Sequence, residues 1–341
     1  MSEAPPFWFQ KPGFAAWALS PLGFIYGRIA AGRMQSKPGH VSNVPVLCVG
    51  NLIAGGAGKT PTAIAIAKIA RQSGFRPGFL SRGYGGNVHS PTLIDIKTHN
   101  CRDVGDEPLI LGLYGETVVS PDRPAGAQLL EEQGVDLIIM DDGFQNPSLH
   151  KDYTLAVVDA GRGIGNGFCI PAGPMRAELK TQLAMASGLL LIGNSDAGTK
   201  IVRLSAKMAK PIITADIAVR KPEQWPGENV LAFAGIADPT KFYKSLEAAG
   251  ANIVATREFH DHHPYSDGEC QELMAEAQAK GLTLVTTEKD AVRLVRTGGR
   301  QQELRKVCKV MHIDLSFENP KMVETMLRDT VRRAEEIRLK M

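Results

Sequence analysis

Short apolar runs alternate with amphipathic segments along most of this chain. Runs at 44–52 (VPVLCVGNL), 77–84 (PGFLSRGY), 117–121 (TVVSP), 136–143 (DLIIMDDG), 154–160 (TLAVVDA) and 188–193 (GLLLIG) are nearly continuous in apolar residues. That is the signature of strands covered on both faces. Helical or turn segments separate most of them, among them DEPLILGLY and AGAQLLEEQG. Gly58-Lys59-Thr60 opens a helix whose apolar positions Ile64, Ile66, Ala67 and Ile69 precede a stop at Gly74. The alternation predicts an α/β fold built on a doubly wound parallel sheet. After the proline-rich segment 221–227 (KPEQWPG) it resumes with NVLAFAGI, a helix over 239–249, ANIVATREF, a helix over 266–280 and LTLVTT. This second block reads as a smaller α/β domain hinged to the first, with residues 1–220 and 221–341 as the two units. The C-terminal stretch 319–340 is helical in pattern, and its mixed charges mark a solvated face.

The N-terminus departs from the pattern. Residues 13–27 (GFAAWALSPLGFIYG) carry no charge, and the run is shorter than the ~20 residues a spanning helix needs. Arg28, Arg33 and Lys37 follow it, so the basic end lies on the wrong side for a cleaved signal peptide. Two readings of a helix over about 13–34 stay open on pattern alone. One is a helix packed on the domain. The other is an interfacial helix, with Trp17 and Tyr26 at headgroup depth and the arginines on anionic lipid. Pro21 is expected to break or kink either.

Composition narrows the classes. The chain has 341 residues, 43% hydrophobic and 22% charged, with a net charge of +3. These values fit a soluble globular protein with ample core and give no basic face for nucleic acid. Five scattered cysteines without a C-x-x-C pair provide neither a disulfide framework nor a zinc-finger spacing.

The candidate chemistry starts at residues 50–70, GNLIAGGAGKTPTAIAIAKIA. In a phosphate loop of the form G-x-x-x-x-G-K-[ST] the first glycine would stand at 53, where this chain has Ile53. The functional parts are nonetheless present. Gly55, Gly56, Ala57 and Gly58 form a turn in which backbone approaches phosphate, Lys59 reaches the terminal phosphates, and Thr60 offers a hydroxyl to Mg²⁺, with Pro61 next in the helix. The loop is a variant P-loop for ATP. It resembles the deviant Walker turn G-G-x-G-K-T, with Ala54 where many of those ATPases carry lysine. Asp141 and Asp142 end an apolar strand and are the expected carboxylates for the metal; Asp159 is a weaker rival.

Asp106 and Glu107 start a helix, where aspartate is an ordinary cap, so on pattern alone Asp106 is a cap. The stretch Phe259-His260-Asp261-His262-His263 gathers three of the eight histidines without a zinc-protease spacing, which points to a site at the interdomain cleft. Arg82, Arg123 and Arg176 follow strand or loop signals near strand carboxyl ends, where ligands of α/β sheets bind, and are candidates for an anionic substrate.

Taken in order, VGNLIAGGAGKTP, SRGYGG, VGDEP, DLIIMDDGFQ, GNGFCIPAGPMR, AGIADPTKFY, FHDHHPYS and TTEKDAVRL resemble the tetraacyldisaccharide 4′-kinases over nearly the whole chain. The departures are Cys169-Ile170-Pro171, where that family usually has a leucine-rich version, and Glu178, displaced from the position directly after Arg176. The resemblance implies transfer of the ATP γ-phosphate to the 4′-hydroxyl of an acylated glucosamine disaccharide 1-phosphate. It implies Asp106 and His262 as a catalytic dyad, and Thr60 with Glu107, Asp141 and Asp142 as Mg²⁺ ligands. Arg123 and Arg176 are then candidates for the substrate phosphate or the transferring group. It also implies a monotopic enzyme at the cytoplasmic face of the bacterial inner membrane, held through the N-terminal helix, with a second domain that closes over the site. No nucleic acid and no obligate protein partner are expected. Against a regulatory ATPase of the partitioning type stand Ala54 and the histidine cluster. Against a GTPase stands the lack of an N/T-K-x-D motif.

Overall fold

The computed structural model describes residues 4–295 and 298–340, the side chain of Asp196 excepted. Among the described residues thirteen strands run in chain order as β1 (Val46–Asn51), β2 (Pro77–Ser81), β3 (Thr92–Leu93), β4 (Thr117–Val119), β5 (Leu137–Asp141), β6 (Tyr153–Asp159) and β7 (Gly188–Ile192). They continue as β8 (Ile212–Val219), β9 (Asn229–Ala234), β10 (Asn252–Glu258), β11 (Thr283–Thr287), β12 (Lys309–Met311) and β13 (Ile313–Phe317). Nine of them form one sheet in the order β13-β8-β7-β6-β1-β5-β2-β4-β3, and four form a second in the order β10-β9-β11-β12. The large sheet is parallel except at its edges, where β3 and β13 run antiparallel to β4 and β8. The small sheet is parallel throughout. β1, β5 and β6 are buried along their whole length, as the near-continuous apolar runs required. Because these strands are parallel, the residues that follow β1, β2, β4, β5 and β6 all emerge at one edge, the edge at which α/β sheets place their ligands.

The unit expected to span 221–341 is corrected at its end. β13 returns to the large sheet beside β8, and the helix Pro320–Arg338 packs on the helix Lys59–Gln72 through Val323, Met326 and Leu327. The small sheet is therefore an excursion between residues 220 and 313. β13 escaped the apolar pattern because a half-buried edge strand alternates, and IDLSF does so with Leu315 and Phe317 inward.

The helix Phe14–Met34 is continuous, and Pro21 does not break it. Proline leaves the carbonyl four residues back without its partner. Here Ser20 Oγ donates to that carbonyl, Trp17 O, at 2.8 Å. The helix is inverted relative to an ordinary surface helix. Its buried positions are Ala16, Gly23, Gly27, Ala31 and Met34, whereas Phe14, Trp17, Leu22, Phe24, Ile25 and Ile29 are exposed. A Cβ on Gly23 would lie 2.7 Å from Cys169 O, and one on Gly27 would lie 2.7 Å from Cys169 Sγ. Glycine at both positions is what lets the helix seat on the 169–178 loop. Glu178, without a role from sequence, lies 3.9 Å from Arg28 of this helix. No described helix is long and apolar enough to cross a membrane.

Candidate active site

β1 feeds the glycine loop, and the helix Lys59–Gln72 leaves it. Gly58 turns the chain at φ +84°, a left-handed conformation that glycine adopts without strain, and a Cβ there would meet Ile192 Cδ1 at 2.6 Å. Asn51 Nδ2 donates to Gly55 O at 2.9 Å, and Ala54 N donates to Pro174 O at 2.7 Å, so the loop is pinned from both sides. Among the described residues no protein group accepts from the amides of residues 55–58. Gly55, Gly56, Ala57 and Gly58 thus present free N–H donors at a helix N-terminus, an anion site by construction. Pro61 lies in the first turn of the helix, where the missing N–H costs nothing.

β5 lies beside β1 with Val49 opposite Asp141, and this register sets both aspartates next to the loop. Thr60 Oγ1 donates to Asp141 Oδ2 at 3.2 Å, while Asp141 Oδ1 is buried with no hydrogen-bond partner. Burial first, then the charge of Glu107, pushes the Asp141 carboxyl up to about 7 against the pull of Lys59. Lys59 Nζ stands 3.7 Å from Asp142 Oδ2. Arg176 Nη1 donates to Asp142 Oδ1 and to Gln145 Oε1, both at 3.0 Å. Burial alone would raise Asp142, but Lys59 and Arg176 outweigh it and hold the carboxyl below its ordinary value. The orphaned oxygen of Asp141 and the mutual repulsion of Glu107, Asp141 and Asp142 fit a bound divalent cation. No three His, Cys, Asp or Glu side chains among the described residues form a ready-made cage.

The second centre joins the two sheets. Asp106, at the start of the helix Asp106–Gly112, is 4% exposed. His262 follows β10 at φ +61°, a left-handed conformation uncommon outside glycine and asparagine. Its Nδ1 donates to Asp106 Oδ2 at 3.0 Å. Burial tends to raise the Asp106 carboxyl, yet the His262 hydrogen bond and the charges of Arg293 and Lys289 hold it far below the usual carboxylate range. The hydrogen bond to Asp106 in turn raises the His262 imidazole above its ordinary value. The pair borders a cleft of about 230 Å³ lined by Tyr84, Arg102, Gly105, Asp106, His262 and Arg293.

The other expected residues are placed as follows. Glu107 faces Lys289, with Nζ 2.7 Å from Oε1, and the lysine holds its carboxyl below the ordinary value. His260 and His263 do not join Asp106. His263 Nδ1 lies 2.9 Å from His260 Nε2, and its Nε2 lies 3.0 Å from both oxygens of Glu269. Arg123 is buried at 2% exposure with Nε unpartnered. Burial and then the nearby charge of exposed Arg82 lower its guanidinium to about 10. Arg123 Nη1 donates to Ser120 O. Asp159, the weaker rival for the metal, pairs with Lys241 of the small unit.

With the geometry set, the comparisons are specific. The family model described as tetraacyldisaccharide-1-P 4′-kinase matches residues 15–332. The chain belongs to that family. The tetraacyldisaccharide 4′-kinase of Agrobacterium fabrum is 50% identical over 331 residues, covering 97% of this chain and 95% of its own. The enzyme of that name from Rhizobium rhizogenes is 48% identical over 340 residues, covering 100% and 96%. A crystal structure from Aquifex aeolicus, described as the "apo" form of LpxK in complex with ATP, aligns at TM-score 0.72 over 93% of this chain and 99% of that one. At 23% identity it speaks for the fold.

For a tetraacyldisaccharide-1-phosphate 4′-kinase family member, two residues at this centre went unassigned from sequence: Lys289 and Arg293. They stand four apart on the helix Glu288–Arg293, which puts both cations on one face. Both lie in the stretch TTEKDAVRL, but no local pattern ties them to Asp106 and Glu107, which lie 182 or more positions away.

Proposed function

We propose that the protein transfers the γ-phosphate of ATP to the 4′-hydroxyl of tetraacyldisaccharide 1-phosphate, giving the 1,4′-bisphosphate. The observation that carries this reading is the Asp106–His262 pair, set at the cleft between the two sheets, with Glu107 beside it paired to Lys289. A phosphate loop alone serves hydrolysis. A buried carboxylate orienting an imidazole is what an alcohol acceptor requires.

The free amides of residues 55–58 and Lys59 take the β- and γ-phosphates. Arg176, already aimed at the loop by Asp142 and Gln145, meets the transferring group. Thr60 with Asp141 and Asp142 would hold Mg²⁺, which when bound neutralises phosphate charge. His262 Nε2 receives the 4′-hydroxyl proton while Asp106 holds the ring by Nδ1. The new O–P bond forms as the bridging β,γ O–P bond breaks, and ADP leaves with that electron pair. The Arg82–Arg123 pair is the site for the substrate's 1-phosphate. The exposed apolar face of the helix Phe14–Met34 is a foot on the cytoplasmic face of the inner membrane, where the acyl chains remain while the sugar enters the cleft. The four-stranded unit is the part that closes over the site.

The test is transfer of label from γ-labelled ATP, with Mg²⁺, to the acylated disaccharide 1-phosphate in detergent micelles. Label is expected in a lipid product, dependent on Lys59. Phosphate released into water at the same rate with and without lipid would overturn the kinase reading and favour a regulatory ATPase.

A further inference from the structure

Three donors converge on a single oxygen of Asp106. His262 Nδ1 and Arg293 Nε each reach Oδ2 at 3.0 Å, and Arg293 Nη2 reaches the same atom. The other oxygen, Oδ1, accepts from the amide of Glu107 at 2.9 Å. A carboxylate held at both oxygens has no freedom about Cβ–Cγ. Arg293 is itself fixed: Nη1 donates to Asp290 Oδ1 at 2.9 Å and to Gly235 O at 2.5 Å. Asp290 accepts in turn from Tyr265 O–H at 2.8 Å and from Gly235 N–H at 2.9 Å. The Gly235 carbonyl also accepts from the backbone N–H of His262 at 3.2 Å. Arg293 therefore touches both things that fix the imidazole, its carboxylate partner and its backbone acceptor.

We propose that Arg293 is a positioning residue of the dyad: it locks Asp106, and through Asp106 the His262 ring, so that Nε2 faces the acceptor hydroxyl. The inference rests on the kinase reading above. An arginine that only anchored its own helix would be satisfied by Asp290 and Gly235 O. Its remaining donors, Nε and Nη2, both cross from the small unit to the large one and end on Asp106. Arg293 and Asp106 are each 4% exposed at the side chain, so no water replaces either bond. Lysine cannot reproduce the arrangement, because a single ammonium does not span Asp290, Gly235 O and Asp106 from one planar fork.

The experiment is a cycle of R293K and H262A, with kcat and both KM values measured for each. In the otherwise wild-type chain R293K should lower kcat by about 10- to 100-fold, the scale of an ångström's misplacement, with both KM values little changed. In the H262A background it should cost less than about twofold, because the ring it positions is gone. An equal loss in both backgrounds, or an unchanged kcat, overturns the proposal. Where R293K does not fold, D290N keeps the volume, loosens the guanidinium and is expected to give the same pattern at smaller size. Nitrogen NMR of labelled histidine is a readout independent of turnover. The wild type should show one His262 tautomer with the proton on Nδ1, and R293K should show an exchanging mixture. An unaltered tautomer in R293K counts against the role. A wild-type protein that transfers nothing to lipid overturns the kinase reading and leaves Arg293 to be judged by the tautomer.

Discussion

In the proposed reaction Asp106 and His262 divide one proton transfer between them, and their ionisation assigns the parts. Asp106 is held so far toward the carboxylate that it is a poor proton acceptor, while the imidazole, raised above its ordinary value, is a better one. Either substitution to alanine should lower kcat by about two to four orders of magnitude, the range of general-base catalysis. The double variant should be little worse than each single one, since the two residues act as a unit. Transfer needs neutral His262, so kcat/KM should fall as pH drops through a value above about 6.5, the ordinary histidine pKa. Asp106→Asn removes the stabilisation of the imidazolium and should move that limb to lower pH. A limb that stays in place in Asp106→Asn would assign it to another group. Lys59, Thr60, Asp141 and Asp142 were legible because a phosphate loop and its strand-end carboxylates are local patterns. Asp106 was not: as the first residue of a helix it looks like any cap, and its partner is 156 residues away. Only the family resemblance joined them.

Element by element, legibility followed burial. β1, β5, β6 and β7, nearly all apolar, stood out in the sequence, and the helix expected over 266–280 is observed at Asp267–Lys280, where Ser266 and Glu269 form a capping box. β8 and β13 were missed because strands with one wet face offer too few consecutive apolar residues. The N-terminal helix was found, but its orientation was not, since a run apolar all round gives no inward face. Small residues settled that by close approach. The outward Phe24 and Ile25 are 62% and 55% exposed. Phe24→Glu with Ile25→Glu should weaken flotation with anionic vesicles and raise KM for lipid substrate in vesicles by about tenfold or more, as loss of ~1.5–3 kcal/mol per buried large apolar side chain dictates. KM for ATP should not move. Undiminished vesicle binding would remove the helix as the foot.

The whole molecule is governed by how the four-stranded unit is attached. Asp314 on β13 joins the attachment, its oxygens taking Lys68 Nζ at 2.6 Å and Arg220 Nε at 2.7 Å and Nη2 at 2.8 Å. The Arg220 hydrogen bond, before the smaller pull of Lys68, depresses the Asp314 carboxyl well below its ordinary value. A depressed carboxyl contributes stability that is present above its unfolded pKa, about 3.9, and is lost as pH falls toward the folded value. Asp314→Asn should therefore lower thermal stability at pH 7 and flatten its decline in acid. The effect should be near ~1 kcal/mol, because the cluster is partly exposed and screened. An unchanged melting profile would show the cluster to be neutral.

Arg220, the last residue before the excursion, donates its amide to the carbonyl of His312, the last residue within it, at 2.8 Å. Ninety-odd residues thus begin and end at two hydrogen-bonded neighbours, the spacing a simple hairpin turn would need. A segment seated that way disturbs nothing in the sheet that receives it. His262 and Arg293 both lie inside it, while the phosphate loop lies outside. The phosphate loop and Asp106 thus belong to the part that receives the segment, and the imidazole and the guanidinium that address Asp106 arrive with the segment itself.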